Sequence, residues 1–512
     1  MSDHDSGQEP TPVEDRDQDL TEPAQTASLH GRPLAPEILA TPSQGLGEIR
    51  QAPKRVIVMG AGMAGLVAAF ELLRQGHEPL ILEAQNRVGG RVWTCRDFAP
   101  GLYAEFGAMR IPRVHDLTLE YCKIFDLQLR PFVMGNPKAL VYLGGVRLTA
   151  EDADTDPSRL PYDVAAHERG RSATAMWEEA IADIRQILAT EGPEAGWERI
   201  VRDYDRYSIQ EFLELRRFSE GAIEMWSNLN FVEADLNTAF VEQLREDVGR
   251  FYEDMFEIVG GTELLAKAFY GPLQNHIRFG AEVKAVEQDE GSVTVHYKTE
   301  TGRYSVRGDY AVCALPFSVL RNVEMITPLS RPKQRAIRQL AYSASTKVLL
   351  QCRRRFWEED EAIVGGSTCT DLPIRRMVYP SHPEPSTRRG ILLASYTWGQ
   401  DAARWGAMDP ETRLEEALED VAKIHPQVVE EFEIGASHAW YEDRWARGAF
   451  ALFNPEQQSE LQADIVRPEG RIHFAGEHCS LYHAWIQGAL ESGIRAAKKI
   501  HEAFDPMRAT AE

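Results

Sequence analysis

No stretch of this chain approaches the roughly twenty consecutive apolar residues that a membrane-spanning helix needs. That excludes a helical membrane protein. Cysteine is scarce: six residues, Cys95, Cys122, Cys313, Cys352, Cys369 and Cys479, are scattered with no CxxC pair. They read as reduced, mostly structural thiols of a cytosolic protein, and nothing in their spacing suggests a metal site. Positive charge is also short, with 56 Lys and Arg against 79 Asp and Glu and a net charge of −23. Such a balance disfavours nucleic acid and anionic membrane as partners and favours solubility. The start, Met1-Ser2-Asp3-His4-Asp5, lacks an apolar segment and does not read as a secretory signal. No internal repeat is present. What remains is a chain with length for about three domains and ample material for a core.

What is there begins at Gly60-Ala61-Gly62-Met63-Ala64-Gly65, directly after the apolar run Arg55 to Met59. An apolar stretch from Leu66 to Leu73 follows, then a second short strand, Leu80-Ile81-Leu82, ending in Glu83. The order strand, glycine turn, helix, strand, acid is that of a dinucleotide-binding unit. The first glycine allows the tight turn, the second lets backbone approach a pyrophosphate, and the third lets helix and strand pack closely. The phosphates would sit on the helix N-terminus, and Glu83 would accept from the adenosine ribose hydroxyls. A purely structural glycine turn is the bland alternative, but strand, helix and acid all agree. Arg87-Val88-Gly89-Gly90-Arg91 adds a second glycine pair leading into an arginine able to grip phosphate bidentately.

Further along, the pattern changes mark other units. The first 35 residues or so are rich in Asp, Glu, Pro, Ser and Thr and read as a disordered acidic tail, whereas Leu34 to Pro53, with some apolar content, are expected to lie over a domain surface. Between Glu168 and Met255 the period turns helical, with Trp177, Ile181, Ile184 and Leu188 on one face. Ser208 with Glu211 is a capping-box signature. Strands return over 275 to 313, and 345 to 453 mixes strands with a helix at 411 to 424. Arg471 to Glu477 reads as a buried strand ending in Gly-Glu, followed by an aromatic segment and a helix from Leu490 to Ile500.

Gly60 to Leu66, Leu82-Glu83-Ala84 and Arg87 to Arg91 together resemble the GAGxxGL…LEA…RxGGR pattern of the flavin-dependent amine oxidase superfamily. Gly107-Ala108-Met109-Arg110-Ile111-Pro112 is most similar to the L-amino-acid oxidase branch. The likeness runs from about Lys54 to Phe504. It implies an α/β fold: a discontinuous Rossmann-like FAD-binding domain of the amine-oxidase type (51–92, 257–338, 461–506), a mixed-sheet substrate-binding domain (93–150, 339–460) and an inserted helical domain (151–256), with tails at 1–50 and 507–512. The implied cofactor is FAD. Its contacts would come from Gly60, Gly62, Met63, Ala64, Gly65, Glu83, Ala84, Gly90, Arg91, Gly107, Ala108, Met109, Arg110, Val283, Gly476, Glu477, Trp485, Ile486, Gln487 and Ala489. Monoamine oxidases carry their flavin-linking cysteine where this chain has Ala449, so the FAD should be noncovalent.

The resemblance also assigns substrate-side roles. Arg110 would fork onto an α-carboxylate, a task that suits its planar donors better than a lysine's point charge. Tyr379 would add a hydroxyl to the same carboxylate, although alone it reads as a packed core tyrosine. Lys347 would hydrogen-bond through a water to flavin N5 and serve oxygen reduction. Phe450 and Trp485 would flank a neutral amine, and Ala484, Trp226 and Glu246 would complete the pocket. Venom enzymes of the branch have histidine where Glu246 stands and glycine where Ala484 stands. The first departure puts an obligatory histidine base in doubt, and the second narrows the pocket. Large apolar or aromatic side chains and a broad range are expected, Trp226 having helix packing and Glu246 having basic substrates as their alternatives. The implied reaction is oxidative deamination of an L-amino acid by O₂ to 2-oxo acid, ammonia and hydrogen peroxide, in a cytoplasmic homo-oligomer, a dimer or larger. Amine or polyamine oxidation, amino-acid 2-monooxygenation to an amide, and a noncatalytic FAD-stabilised protein are the competing readings.

Overall fold

A computed structural model describes residues 34–48, 52–382 and 386–503. The strand Arg55–Met59 is apolar and almost wholly buried beyond its first residue, as a central parallel strand covered on both faces should be. It lies third in a parallel five-stranded sheet ordered Ile277–Arg278, Glu78–Leu82, Arg55–Met59, Tyr310–Cys313, Ile472–Phe474. Those strands come from three distant stretches of chain, so the sheet is discontinuous. The helices Met63–Arg74 and Ile486–Glu502 pack on it and on each other. Their approach is close enough that a Cβ on Gly493 would meet the Ala64 carbonyl oxygen at 2.5 Å.

A second, seven-stranded mixed sheet runs Phe432–Ala439, Ser345–Cys352, Gly390–Trp398, Arg376–Val378, Ser367–Thr370, Leu140–Leu143, Val146–Thr149. Every residue of Ser345–Cys352 is buried, which places Lys347 in an interior strand. The segment between the two sheets in sequence is helical. Trp177, Ile181, Ile184 and Leu188 share one core, but Ile181 leaves the helical conformation and divides the run into Ala173–Ala180 and Ala182–Glu191. Ser208 and Glu211 form the expected reciprocal cap of Ile209–Leu215.

Near the N-terminus the chain packs on the domain where its apolar content begins, inside the segment Leu34 to Pro53 expected to lie over a surface. The N-terminal tail assigned to 1–50 contains a helix, Pro36–Gln44, which buries Ile38, Thr41 and Pro42 against the first sheet's outer layer. Its apolar residues are too few to mark a helix by period, yet Pro at the first turn and a positive-φ Gly45 at the end delimit it. Residues 1–33 and the tail 507–512 lie outside the described residues.

Candidate active site

Both helices of the first sheet open, N-terminus first, onto a cavity of about 710 Å³. The glycine turn divides its labour as the motif requires. Gly60 takes φ +100°, a left-handed geometry; Gly62 has nothing within 4 Å of where a Cβ would stand; Gly65 would place one 2.0 Å from the Gly60 carbonyl oxygen. Gly62 therefore faces open space and Gly65 faces backbone. Met63, Ala64, Glu83, Ala84, Gly90, Val283, Gly476, Ile486 and Ala489 all line the cavity. Free N–H groups and positive dipole ends from two long helices converge there, a donor set that fits a dinucleotide pyrophosphate. The Glu83 carboxylate accepts from Ala61 N at 2.7 Å and Gln85 N at 2.8 Å, which orients it at the cavity wall.

The middle of the cavity is held by an ion pair. Arg91 Nη1 donates to Glu477 Oε1 at 2.8 Å and to the Ala449 carbonyl at 2.9 Å. Glu477 also accepts from Ala451 N and Ala484 N. Burial opposes its ionisation, but Arg91 and the nearby His483 and His478 hold the carboxyl below the usual range. Arg91 thus spends part of its fork on protein. Ala484 sits at φ +66°, a strained position for any residue with a Cβ and the reason glycine suits that place.

At the far end the residues expected on the substrate side come together. Lys347 Nζ, 2% exposed, donates to the carbonyls of Gly107 (2.8 Å) and Glu105 (3.1 Å) and lies over the Tyr396 ring at 4.7 Å. Burial lowers its pKa to about 7, with Glu105 opposing that shift and Arg110 and Arg376 adding to it. Glu105 itself, raised by burial to about 7, is anchored by Thr94 and Thr262 N. Ala108 and Met109 line the wall, and Arg110 projects beside them between Phe132 and Tyr252, at 6.0 and 5.8 Å from their rings. Its Nη1 donates to the Met134 sulfur, 3.0 Å away. Phe450 and Trp485 both line the cavity. Trp485 donates through Nε1 to Glu246 Oε1 at 2.7 Å, and the Tyr252 hydroxyl donates to Glu246 Oε2 at 2.5 Å. Burial pushes the Glu246 carboxyl up, against those two hydrogen bonds, so it is a tied group rather than a loose anion.

Three expected residues point elsewhere. Tyr379 is not in the cavity wall: its hydroxyl is bound between Thr368 Oγ1 and His425 Nε2, each at 2.7 Å, inside the core of the seven-stranded sheet. Trp226 stacks on Trp177 with centroids 4.7 Å apart in the helical core, which is the packing alternative. The Gln487 side chain turns away to accept from Thr118 N and Oγ1. Conversely, the cavity holds Tyr396, Trp398 and Arg376, which motif reading missed. Tyr396 is the antiparallel partner of Lys347. The available signal was its place in the strand Gly390–Trp398, but the cross-strand register that aims it at Lys347 is a long-range property.

Residues 63–501 match the flavin containing amine oxidoreductase family. The chain belongs to that family. It is 35% identical to the L-amino-acid oxidase of Bothrops atrox over 460 residues, 88% of this chain and 90% of that protein. It is also 35% identical to the L-amino-acid oxidase of Siganus canaliculatus over 473 residues, 91% of this chain and 88% of that one. Putrescine oxidase bound to putrescine superposes with a TM-score of 0.72 at 21% identity, covering 88% of this chain and 99% of that structure. At that identity the likeness concerns the fold, and it agrees with the discontinuous parallel sheet and the mixed sheet described above. As a member of this family the chain is a flavoprotein oxidoreductase, and no helix among the described residues is long and apolar enough to cross a membrane.

Proposed function

We propose that this chain is an L-amino-acid oxidase with FAD held noncovalently, catalysing the reaction of an L-amino acid, O₂ and water to 2-oxo acid, ammonia and hydrogen peroxide. The observation that carries the reading is Arg110: a guanidinium only 9% exposed, facing the cavity, with no acidic partner at ion-pair distance among the described residues. A buried cation in that state costs stability unless a ligand supplies the counter-charge. An α-carboxylate does so and a simple amine does not. The L-amino-acid oxidase relatives support the same choice.

The flavin, when bound, takes two electrons from substrate and passes them to O₂. The protein's part is positional. Arg110 forks onto the α-carboxylate, and the hydroxyl of Tyr396, in the place the sequence assigned to Tyr379, reaches the same group. Phe450 and Trp485 orient the neutral amine and exclude water. Lys347, held by two carbonyls, keeps an ionisable proton at the oxygen-facing wall. Ala449, lining the cavity, offers no sulfur for a covalent bond.

The test is direct. The purified protein should be yellow and release FAD on acid treatment. It should generate peroxide and 2-oxo acid from L-amino acids in preference to the corresponding amines. An amide and CO₂ as products would replace the oxidase reading with a monooxygenase, and preference for amines would replace it with an amine oxidase. A reducing cytoplasm, supported by six buried, unpaired cysteines, and a homo-oligomer belong to the same proposal and are checked by cell fractionation and light scattering.

A further inference from the structure

The substrate end of the cavity contains a second guanidinium that the reading above leaves without a task. Arg376 opens the strand Arg376–Val378, beside the strand that carries Tyr396. It is 5% exposed, lines the cavity, and stacks over Phe231 at 4.0 Å from the ring centroid. Its hydrogen bonds do not account for its charge. One Nη donates to the neutral Ser367 hydroxyl at 3.2 Å, and the buried Nε has no acceptor. Its neighbour Arg375 is the internal control, bracketed by Glu233 and Asp401 and donating to Asn228. Among the described residues no carboxylate lies at ion-pair distance from Arg376 or from Arg110. Burial first, and the charge of Arg110 second, bring Arg376 down to about 9, while the Tyr396 and Tyr252 hydroxyls and Cys369 favour its charged form only weakly. The nearby acid Glu246 is already held by Trp485 and Tyr252.

Two buried cations beside one another call for two anionic groups, because each left unmatched carries the cost of a desolvated half-pair. An α-carboxylate supplies one. We infer that the substrate's side chain supplies the other: the site accepts dicarboxylic L-amino acids, of the aspartate or glutamate kind, with Arg110 on the α-carboxylate and Arg376 on the side-chain carboxylate. The inference rests on the oxidase reading above, and it redirects the preference for large apolar side chains expected from the sequence. The faces of Phe231 and Trp398 pack the methylene carbons and exclude water, which strengthens the ion pair at the end. An amide isostere such as L-glutamine presents no charge and leaves Arg376 unmatched.

The experiment compares kcat/KM of the flavin-loaded enzyme for L-glutamate against L-glutamine and for L-aspartate against L-asparagine, by peroxide release. Wild type should favour the acid of at least one pair by on the order of 30-fold or more, the usual scale for a buried charged contact. In Arg376→Gln that ratio should fall toward one, and Arg376→Lys should restore part of it, a point charge replacing a fork. A binding arm uses glutarate against butyrate as quenchers of tryptophan fluorescence. The dicarboxylate should bind wild type more tightly, and Arg376→Gln should abolish the difference. Retained flavin absorbance and melting temperature certify the fold of each variant, and if Arg376→Gln fails them the Arg376→Lys ratios and the wild-type glutarate arm decide. A parallel loss on acid and amide would assign Arg376 to the α-carboxylate and overturn the inference. So would a wild type that prefers the amides. If no L-amino acid of any charge yields peroxide and 2-oxo acid, the oxidase reading itself has failed.

Discussion

The two ends of the cavity treat charge in opposite ways. Toward the glycine-turn end, Glu83 is met by two backbone N–H groups, and in the middle Arg91 is paired with Glu477. At the substrate end, Arg110 has a thioether and Arg376 a serine hydroxyl, with no acid at ion-pair distance from either among the described residues. Glu83 and Glu477 at one end and Arg110 and Arg376 at the other are all buried, so a desolvation penalty acts at each. Where the protein supplies the partner, the charge serves the framework. Where it withholds one, the charge is left for the ligand groups that the two proposals assign to it. The contrast also separates means: the nucleotide end is built of backbone and small residues, the substrate end of long side chains from distant strands.

The sharpest way to break the nucleotide end is Gly65→Val. A side chain there runs into the Gly60 carbonyl, 2.0 Å from the first added carbon, so the turn must open. We expect a protein that purifies without visible flavin absorbance; full FAD retention would contradict the packing role.

At the substrate end, Arg110→Ala should cost roughly 30-fold to several-thousand-fold in kcat/KM for an L-amino acid, about 2–5 kcal/mol, since a desolvated charge pair is halved. Arg110→Lys should recover little. The ratio of an L-amino acid to its decarboxylated amine should fall by the same factor. An unchanged ratio with FAD still bound would remove Arg110 from carboxylate recognition.

Lys347→Met divides the reaction instead of weakening it throughout. Anaerobic flavin reduction by substrate should remain close to wild type, whereas reoxidation by O₂ should slow by on the order of 100-fold, the scale of a positioned proton donor. Burial lowers Lys347 to about 7, so the ammonium form prevails below that pH and the amine above it. Wild-type reoxidation should therefore fall as pH rises through about 7, and the variant should lack that step. Stopped-flow traces across pH, followed for both half-reactions, check this, and an unaltered oxygen step would dismiss the role.

The smallest effects come from the two tyrosines, and they differ in kind. Tyr396→Phe should lower kcat/KM about 5- to 10-fold through one lost hydrogen bond, with little change in melting temperature. Tyr379→Phe should leave kcat/KM in place and destabilise the fold by about 1–3 kcal/mol, because Thr368 and His425 lose a buried partner. Thermal melts and steady-state rates on both variants separate them; the reverse pattern would restore Tyr379 to the site.

The amino-acid sequence determined the nucleotide half of this protein by itself. Its chemistry is carried by backbone N–H groups, and the residues that expose them, Gly60 to Gly65, Glu83 and Gly476-Glu477, are contiguous or nearly so. Arg110 and Lys347 were also legible, each inside a local motif or on an unbroken apolar strand. Only the tertiary structure decided which tyrosine faces Lys347. Tyr379 directly follows the strand Arg376–Val378 and Tyr396 lies on the neighbouring strand Gly390–Trp398, and side chains alternate between faces with a period of two. Register alone chooses the face, and it is set by pairing between segments far apart in the chain, Lys347 with Tyr396 among them. Trp226 illustrates the same limit, an aromatic whose helix turned it toward Trp177 rather than the cavity. The isolation of Arg376 is likewise a property of the fold, since the absence of an acid around a guanidinium is known only once every neighbouring element is in place.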